Sequence, residues 1–252
     1  MKKHLLTFLA LTTFSLLNAD SKALPPLQKQ MWSFDGFLGK FDRAQLQRGF
    51  QVFKEVCATC HSLKYIRFRD LSKIGFSEME IKALAASYEI HDGPNDEGEM
   101  FDRKGLPSDA FPWIYKNANQ ARSVNHGAFP PDLSLIVSSK KDGADYLFAL
   151  LTSFDCPPEG TVLHEGQYWN KVFPGHLISM APPLLNDNQV AYSDGTKATI
   201  DQMARDVTAF LAFTAEPDME KRKQTGIDAL IFLSLLTILS YIVKRRIWND
   251  IR

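Results

Sequence analysis

The chain has 252 residues, 45% of them hydrophobic, and its 29 basic and 29 acidic side chains leave no formal net charge. That length allows one moderate domain plus extra segments, and the even balance argues against a nucleic-acid binder, which carries a basic excess. Gly and Pro, at 14 and 13, give no sign of a fibrous or disordered chain, and three cysteines are too few for a disulfide framework.

In chain order, residues 1–19, "MKKHLLTFLALTTFSLLNA", join two lysines, an apolar run from Leu5 to Leu17 and a small-residue end. This is the layout of a bacterial secretory signal peptide, with cleavage after Ala19 or Ala23. No Arg precedes Arg43, which disfavours a mitochondrial transit peptide. Residues 20–40 read as an extended arm. A helix is expected after Asp42, with Gln45 completing a capping box and Phe41 stapling against Leu46. Leu46, Gly49, Phe50, Phe53 and Cys57 recur at spacings of three and four, so one apolar face runs up to "CATCH" at 57–61. Residues 77–88 predict a short helix, 89–112 break into Gly, Pro and acids, and 142–154 predict another helix. Residues 155–198 are Pro-rich and show no clear strand pair. A firm helix is expected over 200–214, capped by Thr199 with Gln202 completing a second box, and Pro217 ends it.

The run Ile227 to Val243 is apolar and flanked by "KRK" (221–223) and "KRR" (244–246). At ~1.5 Å per residue it reaches roughly 25 Å, enough to cross a bilayer once flanking basic residues snorkel. Basic residues at its two ends barely choose an orientation, so the signal peptide decides it. The expected plan is a signal peptide at 1–23, an exported periplasmic domain at 24–216, and an anchor at 217–252 with a span near 227–243. The anchor leaves a short cytoplasmic tail, so the chain is single-pass in the inner membrane.

Cys57 and Cys60, with His61 directly after, form C-x-x-C-H, the signature of covalent haem attachment: two thioethers to the haem vinyls and a proximal His on iron. Zinc would need a second ligand pair, and a thioredoxin-like site a βαβ frame; neither is present in the sequence. Use then depends on the sixth iron position, for which Met180, in the Pro-stiffened "GHLISMAPPL", His126 and His176 remain candidates. Met203 and Met79 are expected in helical core. A large cofactor would also explain how such long loops are held.

Six ordered blocks, "RGFQVFKEVCATCHSL", "DGPNDEGEMFDR", "NHGAFPPDLSLIV", "DYLFALLTSF", "YWNKVFPGHLISMAPPL" and "DGTKATIDQMARDVTAFLAFTAEPD", resemble the cytochrome c1 family, the haem subunits of quinol–cytochrome c oxidoreductases (bc1 complexes). The resemblance runs from about Trp32 to the C-terminus. It implies a mainly α, class I-like c-type cytochrome domain, with long loops around one covalent haem c and a single C-terminal transmembrane helix. It also implies Cys57 and Cys60 as thioether residues, His61 and Met180 as axial ligands, and a pocket lined by Asn125, Pro130, Pro131, Ile136, Tyr146 and Phe173. Where the family usually has an Arg facing a haem propionate, this chain has Lys140, with Lys141 beside it. The implied partners are cytochrome b, a Rieske iron–sulfur protein and a soluble or anchored cytochrome c, within a dimeric complex. The chain would be an electron-carrying subunit, not a catalyst on its own. The acids Glu89, Asp92, Asp96, Glu97, Glu99 and Asp102 would steer a basic partner. Another anchored c-type cytochrome, or a haem with an open iron position, are the alternative readings.

Overall fold

The computed structural model describes residues 26–249; the signal-peptide reading of 1–23 lies outside the described residues. Helix α1 (Arg43–Glu55) packs on α5 (Ile200–Ala215), and their crossing is the centre of the domain. The sequence permits an unusually close approach. A Cβ on Gly49 would overlap the carbonyl oxygen of Asp206 and lie 2.7 Å from the Phe210 Cβ. Around this point Phe50, Phe53, Phe210 and Phe213 are buried, with Phe50–Phe210 and Phe53–Phe210 centroids 5.6 and 5.8 Å apart. Such aromatic pairs contribute about 0.5–1.5 kcal/mol each beyond the area they bury. Asp206, fully buried, is answered by Arg48 at 2.9 Å, which also reaches Asp194 at 2.8 Å. Two carboxylates on one guanidinium satisfy the buried charge that would otherwise be costly.

The expected helices are present: α2 (Glu78–Ala86), α4 (Gly143–Thr152) and α5. Asp42 caps α1 through the Ala44 and Gln45 amides, and Thr199 caps α5 through Gln202. The two expected capping boxes do not close. Gln202 turns to Asp206 instead, and Ser77 with Glu80 forms a box on α2 that the sequence reading passed over. Met203 is buried as expected, but Met79 is 80% exposed, because it lies on the outer face of a helix that buries only Ile81 and Ala85.

The loops hold elements that periodicity did not show. β1 (Leu63–Arg67) pairs with β4 (Ala110–Phe111), β2 (Glu89–Asp92) with β3 (Phe101–Lys104), and β5 (Tyr168–Trp169) with β6 (Leu177–Ile178), all antiparallel. The last pair corrects the strand-free reading of 155–198. Strands of two residues are too short to display an alternating pattern. A short helix, α3 (Ala118–Val124), and 3-10 turns at Cys57–Thr59 and Phe68–Ile74 lie among them.

Helix α6 (Met219–Asn249) follows α5 after a break at Glu216–Asp218, and from Leu230 to Trp248 its large apolar side chains are exposed. At ~1.5 Å per residue it is ~46 Å long, more than the ~30 Å hydrocarbon core. Its first turns are tied to the domain. Glu220 meets Arg43 at 2.8 Å and accepts the Phe41 amide at 2.8 Å, while Lys223 donates to the carbonyls of Phe34, Gly36 and Gly39 at 2.7–3.1 Å. Arg222 pairs with Glu216. Arg222 and Lys223 therefore do not snorkel as expected; they fasten the start of α6.

Gly49→Ala should destabilise the holoprotein by about 1–3 kcal/mol or more, by forcing α1 and α5 apart. Chemical denaturation checks this, and wild-type stability would contradict the crossing.

Candidate haem site

α1 delivers Cys57 to a tight turn: Cys60 and His61 both donate their amides to the Cys57 carbonyl, at 3.1 and 2.9 Å. Both cysteines are unbridged and half-buried. Burial, and then the proximity of Cys60, pushes the Cys57 thiol up to about 12, so its surroundings favour an uncharged sulfur. A thioether meets that condition.

The next residues lie along the segment 131–134. The His61 Nδ1 is 2.7 Å from the Pro131 carbonyl oxygen. A carbonyl only accepts, so Nδ1 carries the proton and Nε2 is left with its lone pair free. Burial lowers the imidazole's proton affinity, against the opposing pull of Pro131 and Asp132, which keeps this neutral tautomer in place. Asp132 accepts from the Ser62 hydroxyl at 2.7 Å, the Lys64 amide at 2.8 Å and the Ser134 amide at 3.0 Å. The Ser62 carbonyl takes the Leu133 amide at 3.0 Å, and the Ser134 hydroxyl takes the Tyr65 amide at 3.1 Å. Thr214 at the end of α5 donates to the Ser134 carbonyl at 3.2 Å. The turn that carries His61, continuous with α1, is thereby tied through 131–134 to α5.

On the other side Trp113 donates its indole N–H to the Cys60 carbonyl at 3.1 Å, and its ring lies 5.2 and 5.3 Å from those of Tyr115 and Phe129. Asn125, which follows α3, donates to the Tyr115 hydroxyl at 2.9 Å and to the Ala121 carbonyl at 2.7 Å. Burial, and beyond it the neighbouring Cys60, raises the Tyr115 pKa. Sequence reading missed Trp113 and Tyr115. The available signal was the alternation Phe111, Trp113, Tyr115, with Phe111 buried and the next two facing the attachment turn.

The remaining expected pocket residues fall into groups. Ile136 is half-buried against the core. The Lys140 ammonium lies 5.8 Å from the ring centroid of Tyr146 on α4, a phenol whose pKa burial raises, while Lys141 is simply exposed. Pro130 is half-buried, and Pro131 acts through its carbonyl. Phe173 is half-buried in the loop between β5 and β6, and Met180 is half-buried two residues past β6. Of the other iron-ligand candidates, His176 stacks on Trp169 with centroids 4.7 Å apart, and His126 lies 3.6 Å from Glu165.

The six acids do not stand alike. Arg103, opposite Ile90 in the β2–β3 ladder, binds Asp92 and grips Asp109 with two nitrogens at 2.6 and 2.9 Å. Asp102 meets His91 at 2.9 Å. Glu89, Asp96, Glu97 and Glu99 are exposed and make no ion pair among the described residues. Asn95 orders the tip by accepting the Glu97 and Glu99 amides at 3.0 and 2.8 Å.

A C-x-x-C-H turn with its imidazole pinned by a carbonyl, on a helical domain followed by a long apolar helix, defines an anchored c-type cytochrome. The residues present suit a covalent haem: a neutral sulfur environment and an imidazole presenting Nε2. Residues 32–251 match the family described as "Cytochrome C1 family". The chain is 45% identical to "Cytochrome c1" of Rhodospirillum rubrum over 242 residues, 90% of this chain and 89% of that protein. It is 47% identical to "Cytochrome c1 1, heme protein, mitochondrial" of Arabidopsis thaliana over 221 residues, 88% of this chain and 72% of that one. It is 46% identical to "Cytochrome b/c1" of Bradyrhizobium diazoefficiens over 248 residues, 90% of this chain but only 36% of the longer polypeptide. The chain belongs to the cytochrome c1 family, whose members carry a covalently bound c-type haem and transfer electrons as the haem subunit of bc1 complexes.

Arg103 holds Asp92 and Asp109 below the usual carboxylate range. Their support for the hairpin is complete above the unfolded-state value of about 4 and is lost as pH falls through the lower folded values. Protection of the 89–104 amides, taken relative to the intrinsic exchange rate at each pH, should therefore fall below about pH 4. Arg103→Gln should remove that dependence, and a pH-independent wild type would contradict the pairing.

Proposed function

We propose that this chain accepts one electron from a Rieske iron–sulfur protein and passes it to a soluble or anchored c-type cytochrome, beside cytochrome b in a dimeric bc1 complex. In this reading the haem domain, 24–216, faces the periplasm, and α6 crosses the inner membrane with its C-terminal end in the cytoplasm. The observation that carries the reading is the His61 imidazole, whose proton is committed to Pro131 so that Nε2 faces away as an iron ligand. Cys57 and Cys60 would hold the haem by thioethers, and His61 and Met180 would bind its iron.

A His/Met-ligated haem supplies one-electron chemistry at a higher potential than bis-His ligation gives, suited to a high-potential donor. The chain's own residues do the rest. Pro131 orients the imidazole, and Trp113 and Tyr115 shield the attachment turn. Asn125, Pro130, Ile136, Tyr146 and Phe173 would line the haem, and Lys140, held over Tyr146, would meet a propionate. A lysine there is a point charge where an arginine would offer a planar fork.

Purification is the direct test: the chain should co-purify with a cytochrome b and an iron–sulfur protein, and isolation alone would refute the reading. For the ligand, Met180→Leu should keep the covalent haem but lose the thioether-to-iron absorption band and lower the reduction potential. Retention of both would overturn the assignment.

The acidic hairpin, with Asp96, Glu97 and Glu99 free at its tip and Glu89 free at its base, steers the basic face of the acceptor. Neutralising these four should slow reduction of a basic cytochrome c about tenfold or more at low salt, with the difference vanishing at high salt. An unchanged low-salt rate would exclude them.

A further inference from the structure

We infer that Asn170 is a positioning residue for the second axial ligand, an inference that rests on the Met180 reading above. Asn170 is completely buried, yet it carries a polar side chain in which every group is used. Its Oδ1 accepts the amides of Val172 and Phe173, both at 3.1 Å, and its Nδ2 donates to the Leu150 carbonyl at 2.8 Å. Two amides and one carbonyl admit only one orientation of the side-chain amide. Its backbone closes the same turn: its N–H donates to the His176 carbonyl at 2.8 Å, and its carbonyl oxygen is 3.2 Å from the His176 Nδ1.

These bonds act on Met180 through a short chain of consequences. The turn from Asn170 to His176 joins β5 to β6, so its shape sets the register Tyr168↔Ile178 and Trp169↔Leu177. Ile178 is buried, and Met180 follows two residues later. A slip of one residue in so short a ladder would turn Ile178 outward and carry Met180 with it. Leu150 lies in the last turn of α4, where helix carbonyls have no partner within the helix. The Nδ2 bond therefore fixes the turn to α4, the helix that carries Tyr146.

Downstream, the loop is braced separately. Gln189 donates to the Pro183 carbonyl at 2.9 Å and accepts the Leu185 amide at 2.8 Å. Gln51 of α1 donates to the Ala191 carbonyl at 2.8 Å. Met180 is suspended between two side-chain amide clamps, of which the buried one reaches α4. A thioether–iron bond is weak and depends on a fixed approach, so slackening the buried clamp releases the sulfur while the thioethers and His61, attached to α1 and 131–134, stay in place.

The test uses the full-length haem-loaded chain with Asn170→Ala, Asn170→Asp, Met180→Leu and Ile81→Ala. Asn170→Ala should retain wild-type haem stoichiometry, lose most of the thioether-to-iron band, fall in reduction potential and bind carbon monoxide when reduced. Ile81→Ala, which opens a cavity beneath α2, should stay inert to carbon monoxide, separating positioning from general loss of stability. Asn170→Asp keeps the acceptor for Val172 and Phe173 but loses the donor to Leu150, so it should bind carbon monoxide to an intermediate extent. Wild-type band and inertness in Asn170→Ala would overturn the inference. Were that variant not to accumulate, an inert Asn170→Asp would do so. The wild type gives an independent reading: on warming, the band should disappear together with exchange protection of the Val172 and Phe173 amides, and protection outlasting the band would also overturn it. If Met180→Leu retained the band, the ligand reading would fail, and this inference with it.

Discussion

The contact between Gly49 and the Asp206 carbonyl is the constraint on which the domain depends. It lets α1 and α5 approach closely enough for Phe50, Phe53 and Phe210 to interlock, and it brings Arg48 onto a carboxylate that is wholly buried. The haem site inherits both helices. α1 ends at the attachment turn, and α5 holds the Ser134 carbonyl through Thr214. Ser134 belongs to the segment whose Pro131 carbonyl sets the His61 tautomer. Between the helix crossing and the imidazole the connection is therefore continuous.

Away from this crossing the chain is ordered mainly by side chains that bond to backbone. Asp132, Asn170, Asn95 and Gln189 each satisfy amides or carbonyls that no long strand or helix would satisfy. Short polar side chains do this because they reach nearby backbone groups at little entropic cost. Loops built this way need few apolar residues of their own. Phe173, Ile136, Tyr146 and Met180 are only half-buried in or beside such loops.

The anchor is joined rigidly to the electron-carrying domain. Glu220 is held below the usual carboxylate range although burial works against its charge, because Arg43 and the Phe41 amide outweigh that cost. Lys223, ringed by three backbone carbonyls, locks the arm at Phe34–Gly39 to the same helix. A domain that exchanges electrons with partners at a membrane surface gains a defined height and orientation from such a joint.

The sequence by itself determined the covalent-haem signature, because C-x-x-C-H is local, and helices α1, α2, α4 and α5, because their apolar spacing is local too. It also determined the apolar run near the C-terminus, which depends only on composition. Tertiary structure alone decided which acids are free. Asp92 and Arg103 are eleven residues apart in sequence and meet only because β2 pairs with β3. It decided that Trp113 and Tyr115 face Cys60, through the pairing of β1 with β4. It also turned Arg222 and Lys223 from membrane-facing charges into bonds with the domain. Contacts between distant segments follow from how the chain folds back on itself, and short strands and Asx-held loops carry no periodicity from which that return could be read.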